Sequence, residues 1–146
     1  MNKNNKGFTL IELLVVIAII GLLSTLSVLA LNSARARSRD AKRISDIKQI
    51  QTALEMYYNE AGYYPADGAV DAGDTISTGT NVYMKVVPTA PIPVDGSCSA
   101  AQNTYTYDYL GSGTEASGSY TLTYCLGAAT GGVPAGVNTA TPSGIR

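Results

Sequence analysis

The sequence predicts an α+β fold in which one long N-terminal helix packs on a small antiparallel β-sheet. One observation is a run of 24 residues, 8–31, that is almost free of charge and is followed by a segment with helical periodicity. The other is a pair of alternating, tyrosine-rich segments, 103–110 and 119–126. With 146 residues in all, the chain has room for one domain of ordinary size beyond the apolar run.

The apolar run is long enough to cross a bilayer as a helix. Glu12 is its one formally charged residue. A carboxylate at the centre of a membrane helix costs about 2.5–3.5 kcal/mol, and somewhat less near the end, so Glu12 calls for a cation. A cut between Gly7 and Phe8 would supply one, as a new α-amino group in the same helix or in a neighbouring copy. The alternative is a glutamate that snorkels to the interface without a partner.

The helix is expected to continue as an amphipathic segment over residues 32–62. One stripe holds Ile44, Ile47, Gln51, Leu54 and Tyr58, flanked by Ile50 and Tyr57. Gly62 and Pro65 then provide a stop. The stripe needs a surface to cover it, and the predicted sheet is the only candidate.

Five cations against one carboxylate mark the start of this segment, at residues 35–43. From residue 44 onward, nine carboxylates face three cations. The basic segment is interpreted as a solvated collar that contacts lipid headgroups or acidic surfaces of neighbouring copies. A nucleic-acid interface is the alternative, but no aromatic residue or second basic element accompanies the cluster, so nucleic acid is not expected as a partner.

Residues 63–146 read as a β-rich head. Strands are predicted at 81–87, 103–110 and 119–126, with a flexible connection at 111–118. Residues 130–146, rich in Gly, Ala, Thr and Pro, are expected to form a flexible C-terminal tail. The ten tyrosines are expected to be half-buried, with packed rings and wet hydroxyls. Stacking between subunits or on a carbohydrate is the alternative.

Cys98 and Cys125 are the only cysteines. An even count beyond a membrane segment predicts one disulfide formed in an oxidising compartment. Two reduced thiols in a cytosolic core are the alternative.

No catalytic group is recognisable. Histidine is absent, which removes Ser/His and Cys/His nucleophile pairs, and no Gly-rich phosphate loop occurs, so the chain is not expected to be an enzyme. The carboxylates Asp67, Asp71 and Asp74 are weak calcium candidates, with Asp95 and Asp108 as equal alternatives. Acidic loops are usually only solvated, and no cofactor is expected otherwise.

The stretch KGFTLIELLVVIAIIG resembles the leader and first helix of type IV pilins and of type II secretion pseudopilins. The resemblance implies a pilin-like α+β fold, cleavage after Gly7 by a prepilin peptidase and N-methylation of Phe8. It also implies that Glu12 serves subunit assembly, with an assembly platform and a motor ATPase as further partners. Many members carry a proline near the position of Leu29. This chain has Gly21 but no proline before Pro65, so a continuous first helix is expected.

The chain is thus divided into a leader (1–7), a transmembrane or filament-core helix (8–31), its amphipathic continuation (32–62) and an extracytoplasmic head (63–146). The expected function is that of a structural subunit. It is held in the inner membrane and then polymerised, with other copies and minor subunits, into a type IV pilus or a secretion pseudopilus. The alternative is a membrane-tethered binding or adhesion module that never polymerises. Counting positive charges alone would place residues 35–43 in the cytoplasm. The family places the leader there, and the disulfide candidate agrees with the family.

Overall fold

A computed structural model describes residues 7–111 and 118–145 of the chain. Helix α1 spans Leu10–Ala61 and is followed by β1 (Ile76–Ser77) and β2 (Val82–Met84), a 3-10 turn (Ala100–Gln102), β3 (Thr106–Leu110), β4 (Ser119–Leu126), β5 (Gly136–Thr141) and β6 (Gly144–Ile145). The α+β prediction is confirmed. The chain divides into an N-terminal unit, Met1–Arg35, and a globular unit, Ala36–Arg146.

Within the N-terminal unit α1 continues through Gly21 without a break, as predicted. Three hydroxyl side chains follow this glycine and turn back onto the helix. Ser24, Thr25 and Ser27 each donate to a backbone carbonyl three or four residues earlier, at 2.7–2.8 Å. Each hydroxyl hydrogen is thereby used inside the helix, which suits a segment surrounded by apolar groups.

The core of the globular unit forms between α1 and the larger sheet. Ile47, Ile50 and Leu54 on the helix are completely buried, and they belong to one cluster with Tyr120 and Leu126 of β4. The predicted stripe is therefore largely correct. Ile50 lies at its centre rather than on its flank, while Ile44 is only partly buried.

The larger sheet is antiparallel, in the order β3-β4-β5-β6. In β3 and the residue before it, Tyr105 and Tyr107 are buried, whereas Thr106 and Asp108 are exposed. In β4 the even-numbered residues from Tyr120 onward are buried. Both alternations were predicted, because period-2 patterning marks strands with one face in the core. The predicted connection 111–118 lies mostly outside the described residues.

The strand predicted at 81–87 is shorter than expected. It is the three-residue β2, which pairs with β1 and not with the larger sheet. The segment reaches the core elsewhere, through Val87, which is buried and whose N–H donates to the carbonyl of Asp74 at 2.7 Å.

The flexible C-terminal tail expected at 130–146 is a wrong prediction. Strand β5 pairs with β4 from Leu122↔Ala140 to Leu126↔Gly136, and β6 pairs with β5. Ala140 is completely buried, and the side chain of Asn138 donates to the carbonyls of Pro134 and Gly136 at 2.9 and 2.8 Å. Small residues can pack closely against a neighbouring strand without large apolar side chains, so the segment lacks the usual strand signal.

The predicted disulfide is present between Cys98 and Cys125. It joins the segment before the 3-10 turn to the buried end of β4. In the chain-entropy model a crosslink across 27 residues stabilises the folded state by about 3–4 kcal/mol.

We expect the double substitution Cys98→Ala/Cys125→Ala to lower the free energy of unfolding by about 3–4 kcal/mol, because the unfolded chain regains its loop entropy. Urea unfolding of the variant and of the oxidised chain measures the difference. Reduced wild-type chain is the control and should resemble the variant. An unchanged urea midpoint in both would contradict the prediction.

Candidate processing and assembly site

The start of α1 is closed by a reciprocal pair of hydrogen bonds between Thr9 and Glu12. The backbone N–H of Glu12 donates to Thr9 Oγ1 at 3.3 Å, and the backbone N–H of Thr9 donates to Glu12 Oε2 at 2.8 Å. The Thr9 hydroxyl also donates to Glu12 Oε2 at 2.6 Å. This arrangement is a capping box. Each of the two side chains accepts the backbone N–H of the other residue, so two N–H groups without helical partners are satisfied.

The capping box changes the interpretation of Glu12. The sequence suggests either an amine partner or no partner, and the chain by itself provides a third solution through Thr9. One carboxylate oxygen, Oε2, receives both donations from Thr9. A carboxylate has acceptor sites on both oxygens, so an ammonium group could join this arrangement through Oε1 without displacing Thr9.

The proposed cleavage point precedes the capping box. Gly7 and Phe8 are exposed and lie before the first helical residue. Apart from Gly7 and its chain neighbours, no atom of the described residues lies within 4 Å of the position that a Cβ would take on Gly7. A protease requires accessible, non-helical backbone at its cleavage site, and this bond provides it. Residues 1–6 of the leader lie outside the described residues.

The apolar residues that follow are uncovered on all sides of the helix. The large apolar side chains from Phe8 to Leu31 keep between 45% and 81% of their surface exposed. α1 contains the chain's one membrane-span candidate among the described residues, judged by length and composition. An exposed apolar surface of this extent calls for lipid or for other protein helices to cover it.

The basic segment 35–43 has two parts that behave differently. Arg35, Arg37 and Lys42 are exposed, as a solvated collar requires. Arg43 is completely buried and Arg39 is partly buried, so the collar interpretation is wrong for these two. Their guanidinium groups belong to the fold of the globular unit.

Arg43 connects α1 to the loop between β2 and the 3-10 turn. Its Nη1 donates to Asp40 Oδ1 at 2.8 Å, and its Nη2 donates to the Pro91 carbonyl at 3.0 Å and to Asn103 Oδ1 at 2.9 Å. A planar guanidinium suits such a buried site because its donors point in fixed directions. The i,i+3 spacing of Asp40 and Arg43 was the available signal in the sequence.

Asp40 connects α1 to the end of β4. It is completely buried, and its carboxylate accepts the backbone N–H groups of Gly127 and Ala128 at 2.9 and 3.0 Å. These residues directly follow the strand that carries Cys125. One helical turn therefore fastens both segments that the disulfide also joins.

Asp95 completes this group of charges. Arg39 Nε donates to Asp95 Oδ2 at 2.6 Å, and Arg43 Nη1 lies 3.5 Å from the same oxygen. The hydrogen bond from Arg39 is the main reason that the pKa of Asp95 lies below its ordinary value of 3.8, with smaller contributions from the charges of both arginines. Asp95 is thus held as an anion by two arginines of α1.

The lowered pKa of Asp95 predicts how stability depends on pH. A carboxylate with a depressed pKa in the folded state contributes its full stabilisation above the unfolded pKa and loses it as pH falls through the folded pKa. We expect the wild-type chain to lose stability below about pH 4, as the 3.8 reference value implies. Asp95→Asn should be less stable at neutral pH and should show a shallower decline. Urea titrations from pH 5 to pH 2 measure the free energy of unfolding of both chains. The same slope against pH for the wild type and for Asp95→Asn would contradict this prediction.

The calcium candidates do not converge. Asp67 accepts the backbone N–H of Tyr109, and Asp74 accepts that of Asp71 at 2.9 Å. Within residues 7–111 and 118–145, no three acidic, cysteine or histidine side chains gather as a metal site would require. Asp108 is exposed on β3. Calcium binding stays a prediction from composition.

Most of the described tyrosines form a packed group rather than an open stacking surface. Tyr64 stacks on Tyr58 with ring centroids 4.7 Å apart and meets Tyr120 edge-on at 4.9 Å, and Tyr107 stacks on Tyr120 at 5.7 Å. The hydroxyl of Tyr64 donates to Glu55 Oε1 at 2.9 Å. The predicted packing of the rings is confirmed, although several rings are fully rather than half buried. The prediction of wet hydroxyls is wrong for Tyr105 and Tyr107, whose buried hydroxyls donate to Asp46 Oδ2 and to the Pro65 carbonyl.

Comparison with known proteins locates the similarity at the N-terminus. The family model "Prokaryotic N-terminal methylation motif" matches residues 2–28. Among curated proteins, the chain is 36% identical to the fimbrial protein EcpC of Eikenella corrodens over 62% of this chain and 59% of that protein. It is 32% identical to type II secretion system core protein G of Dickeya chrysanthemi over 64% of this chain and 55% of that protein.

The type IV major pilin protein PilE of Neisseria gonorrhoeae is 34% identical over 60% of this chain and 52% of that protein. The chain therefore spans little more than half the length of these three relatives. No solved structure matches it significantly. The family model covers the methylation motif and the first part of α1, and the alignments with the three relatives extend over 60–64% of this chain.

Proposed function

From the match to the N-terminal methylation motif and the similarity to type IV pilins and a type II secretion core protein, we propose that the chain belongs to this family and is a structural subunit of such a filament. The precursor is held in the membrane, cut between Gly7 and Phe8, methylated on Phe8 and polymerised. The single observation that carries this proposal is the position of Glu12. It is an acid close to an exposed, non-helical cleavage point, at the start of an apolar surface that needs a cover.

Polymerisation would supply both a cover for the apolar helix and a cation for Glu12. Packing the helices of several copies together covers the apolar side chains of residues 8–31. The α-amino group of Phe8 in one copy pairs with Glu12 of the next, in an environment where an unpaired charge is costly. Each processed copy carries one Phe8 amine and one Glu12 carboxylate. The contact therefore repeats from subunit to subunit and sets the axial stagger between them.

The partners and the topology follow from this proposal. A prepilin peptidase makes the cut, and an assembly platform with a motor ATPase supplies the work. The leader faces the cytoplasm and the globular unit faces outward. The disulfide between Cys98 and Cys125 supports this orientation, because such bonds persist in oxidising compartments. The cations at 35–43 argue less strongly against it, since two of them are used inside the fold.

The N-terminus of the mature protein tests the proposal directly. The chain is expressed with a prepilin peptidase, and its N-terminal peptide is identified by mass spectrometry. We expect a methylated Phe8 in the wild type and an intact leader in a Gly7→Leu control. An intact Met1 would instead support a tethered module. The residues Ala34-Arg35-Ala36 have the A-x-A form of a signal-peptide cleavage site, so a start at Arg37 would support a secreted form. Electron microscopy of surface filaments from the native cell then separates a pilus from a pseudopilus.

A further inference from the structure

Two features of the globular unit present apolar surface to solvent outside the N-terminal motif. One is an exposed isoleucine, Ile92, in the loop between β2 and the 3-10 turn. The other is an open groove between α1 and β2. We call them the knob and the groove.

The knob combines a largely exposed side chain with a backbone that hydrogen bonds hold in place. Ile92 keeps 81% of its surface exposed. The carbonyl of Pro91, immediately before it, accepts hydrogen bonds from the buried Arg43 at 3.0 Å and from Asn103 Nδ2 at 3.1 Å. Proline on either side further restricts the backbone. A side chain presented in this way loses little conformational freedom when a partner covers it.

The groove has a volume of about 590 Å³, and its lining mixes apolar residues with the polar side chains of Ser45, Gln49 and Thr52. Ile44, Ala53 and Met56 of α1 line one side, and Met84 of β2 lines the other. Methionine side chains adapt readily to the shape of an incoming group. Lys48 also lines the groove and is exposed, so the groove carries a positive charge at its border.

Charge complementarity indicates what fills the groove. Asp71 and Ile92 line one shallow depression, so the knob is accompanied by an exposed carboxylate. The groove is accompanied by the ammonium group of Lys48. A knob entering the groove would bring opposite charges together, and such pairs fix the orientation of a contact more than its strength.

We propose that the knob of one copy of this chain inserts into the groove of the next. The two surfaces lie on different parts of the same molecule, so the contact is heterologous and leaves a free knob and a free groove after every addition. Heterologous contacts that do not close into a ring generate open helical filaments. The inference rests on the proposed filament function and assigns it a second contact, made by the globular units.

A photo-crosslinking amino acid locates the contact. Benzoylphenylalanine replaces Ile92 in the full chain, which is expressed with a prepilin peptidase and illuminated in the assembled state. We expect crosslinked dimers and larger oligomers in which the probe at position 92 is bonded to Met56 or Met84 of a second copy. The same probe at Val137, an exposed residue of β5, should give few dimers. Links to other parts of the chain, or to a different protein, would overturn the inference.

Substitutions test whether the contact matters. We expect Ile92→Asp to lower filament yield by about tenfold or more, as loss of an interface anchor does, while Val137→Asp stays close to wild type. Lys48→Glu and Asp71→Lys should each lower the yield, and the double variant should recover it. Disulfide formation and the urea midpoint show whether each variant folds.

Normal filament yield from folded Ile92→Asp would overturn this inference and leave the proposed function standing. A wild-type chain that is cut at Gly7 and forms no filament under any condition would overturn both.

Discussion

Replacing Arg43 by methionine is expected to lower the free energy of unfolding by about 3–5 kcal/mol, the usual cost of breaking a buried ion pair from one side. Methionine fills much of the volume of the arginine stem but donates no hydrogen bond. Asp40 would stay buried without its cation, and the Pro91 carbonyl and Asn103 would each lose a donor. Small domains are stable by only about 5–15 kcal/mol, so this loss is large.

The measurement is urea unfolding of the detergent-solubilised chain, followed by near-ultraviolet circular dichroism of the packed tyrosines. Arg37→Met is the matched control, because Arg37 is exposed on the same helix, and it should change stability by no more than about 0.5 kcal/mol. Equal stability of the two variants would show that Arg43 makes no net contribution to the folded state.

Replacing Glu12 by alanine is expected to leave the chain folded and inserted in the membrane but to reduce filament yield by at least about tenfold, the effect of losing 1.4 kcal/mol at each addition. The reason is that the Phe8 amine of the next copy would enter an apolar environment with no carboxylate to receive it. Filament yield is measured by shearing and quantifying polymer from cells that process the leader normally.

The capping box makes a sharper control possible. Glutamine also closes a capping box, so Glu12→Gln keeps the hydrogen bond to Thr9 and removes only the charge. If pairing with the amine drives assembly, Glu12→Gln fails as completely as Glu12→Ala. If helix capping is what matters, Glu12→Gln assembles almost normally, and Thr9→Val, which keeps the charge, is the defective variant.

The sequence predicts the structure most accurately where one periodicity, that of a helix or of a strand, runs through a whole segment. Residues 44–58 and 119–126 bury the predicted faces because one helix stripe and one strand face supply most of the core. The disulfide follows from there being only two cysteines. The cleavage and assembly roles of Gly7, Phe8 and Glu12 stay predictions, and the capping box adds Thr9 as a partner of Glu12.

The failures have a common physical cause. Arg43 and Asp40 look like surface charges in the sequence, since their burial depends on partners 48 to 88 residues away. Strand β5 is composed of small and polar residues that gain their place from hydrogen bonds to β4 rather than from apolar side chains. Neither the burial of these charges nor the pairing of β5 leaves a periodic pattern in the sequence. Both become visible only in the tertiary structure.

The bonds from Asp40 to the backbone after β4 also have a mechanical consequence. If a filament of these chains is pulled, α1 can lengthen by unwinding only where its turns hold nothing else in place. Between residues 40 and 54, each turn that opened would expose a buried side chain, charged at Asp40 and Arg43 and apolar from Ile47 onward. Elastic extension under load is therefore confined to the turns of α1 before Arg39, and the turn that contains Gly21 is the weakest of them. The disulfide-bonded globular unit resists extension.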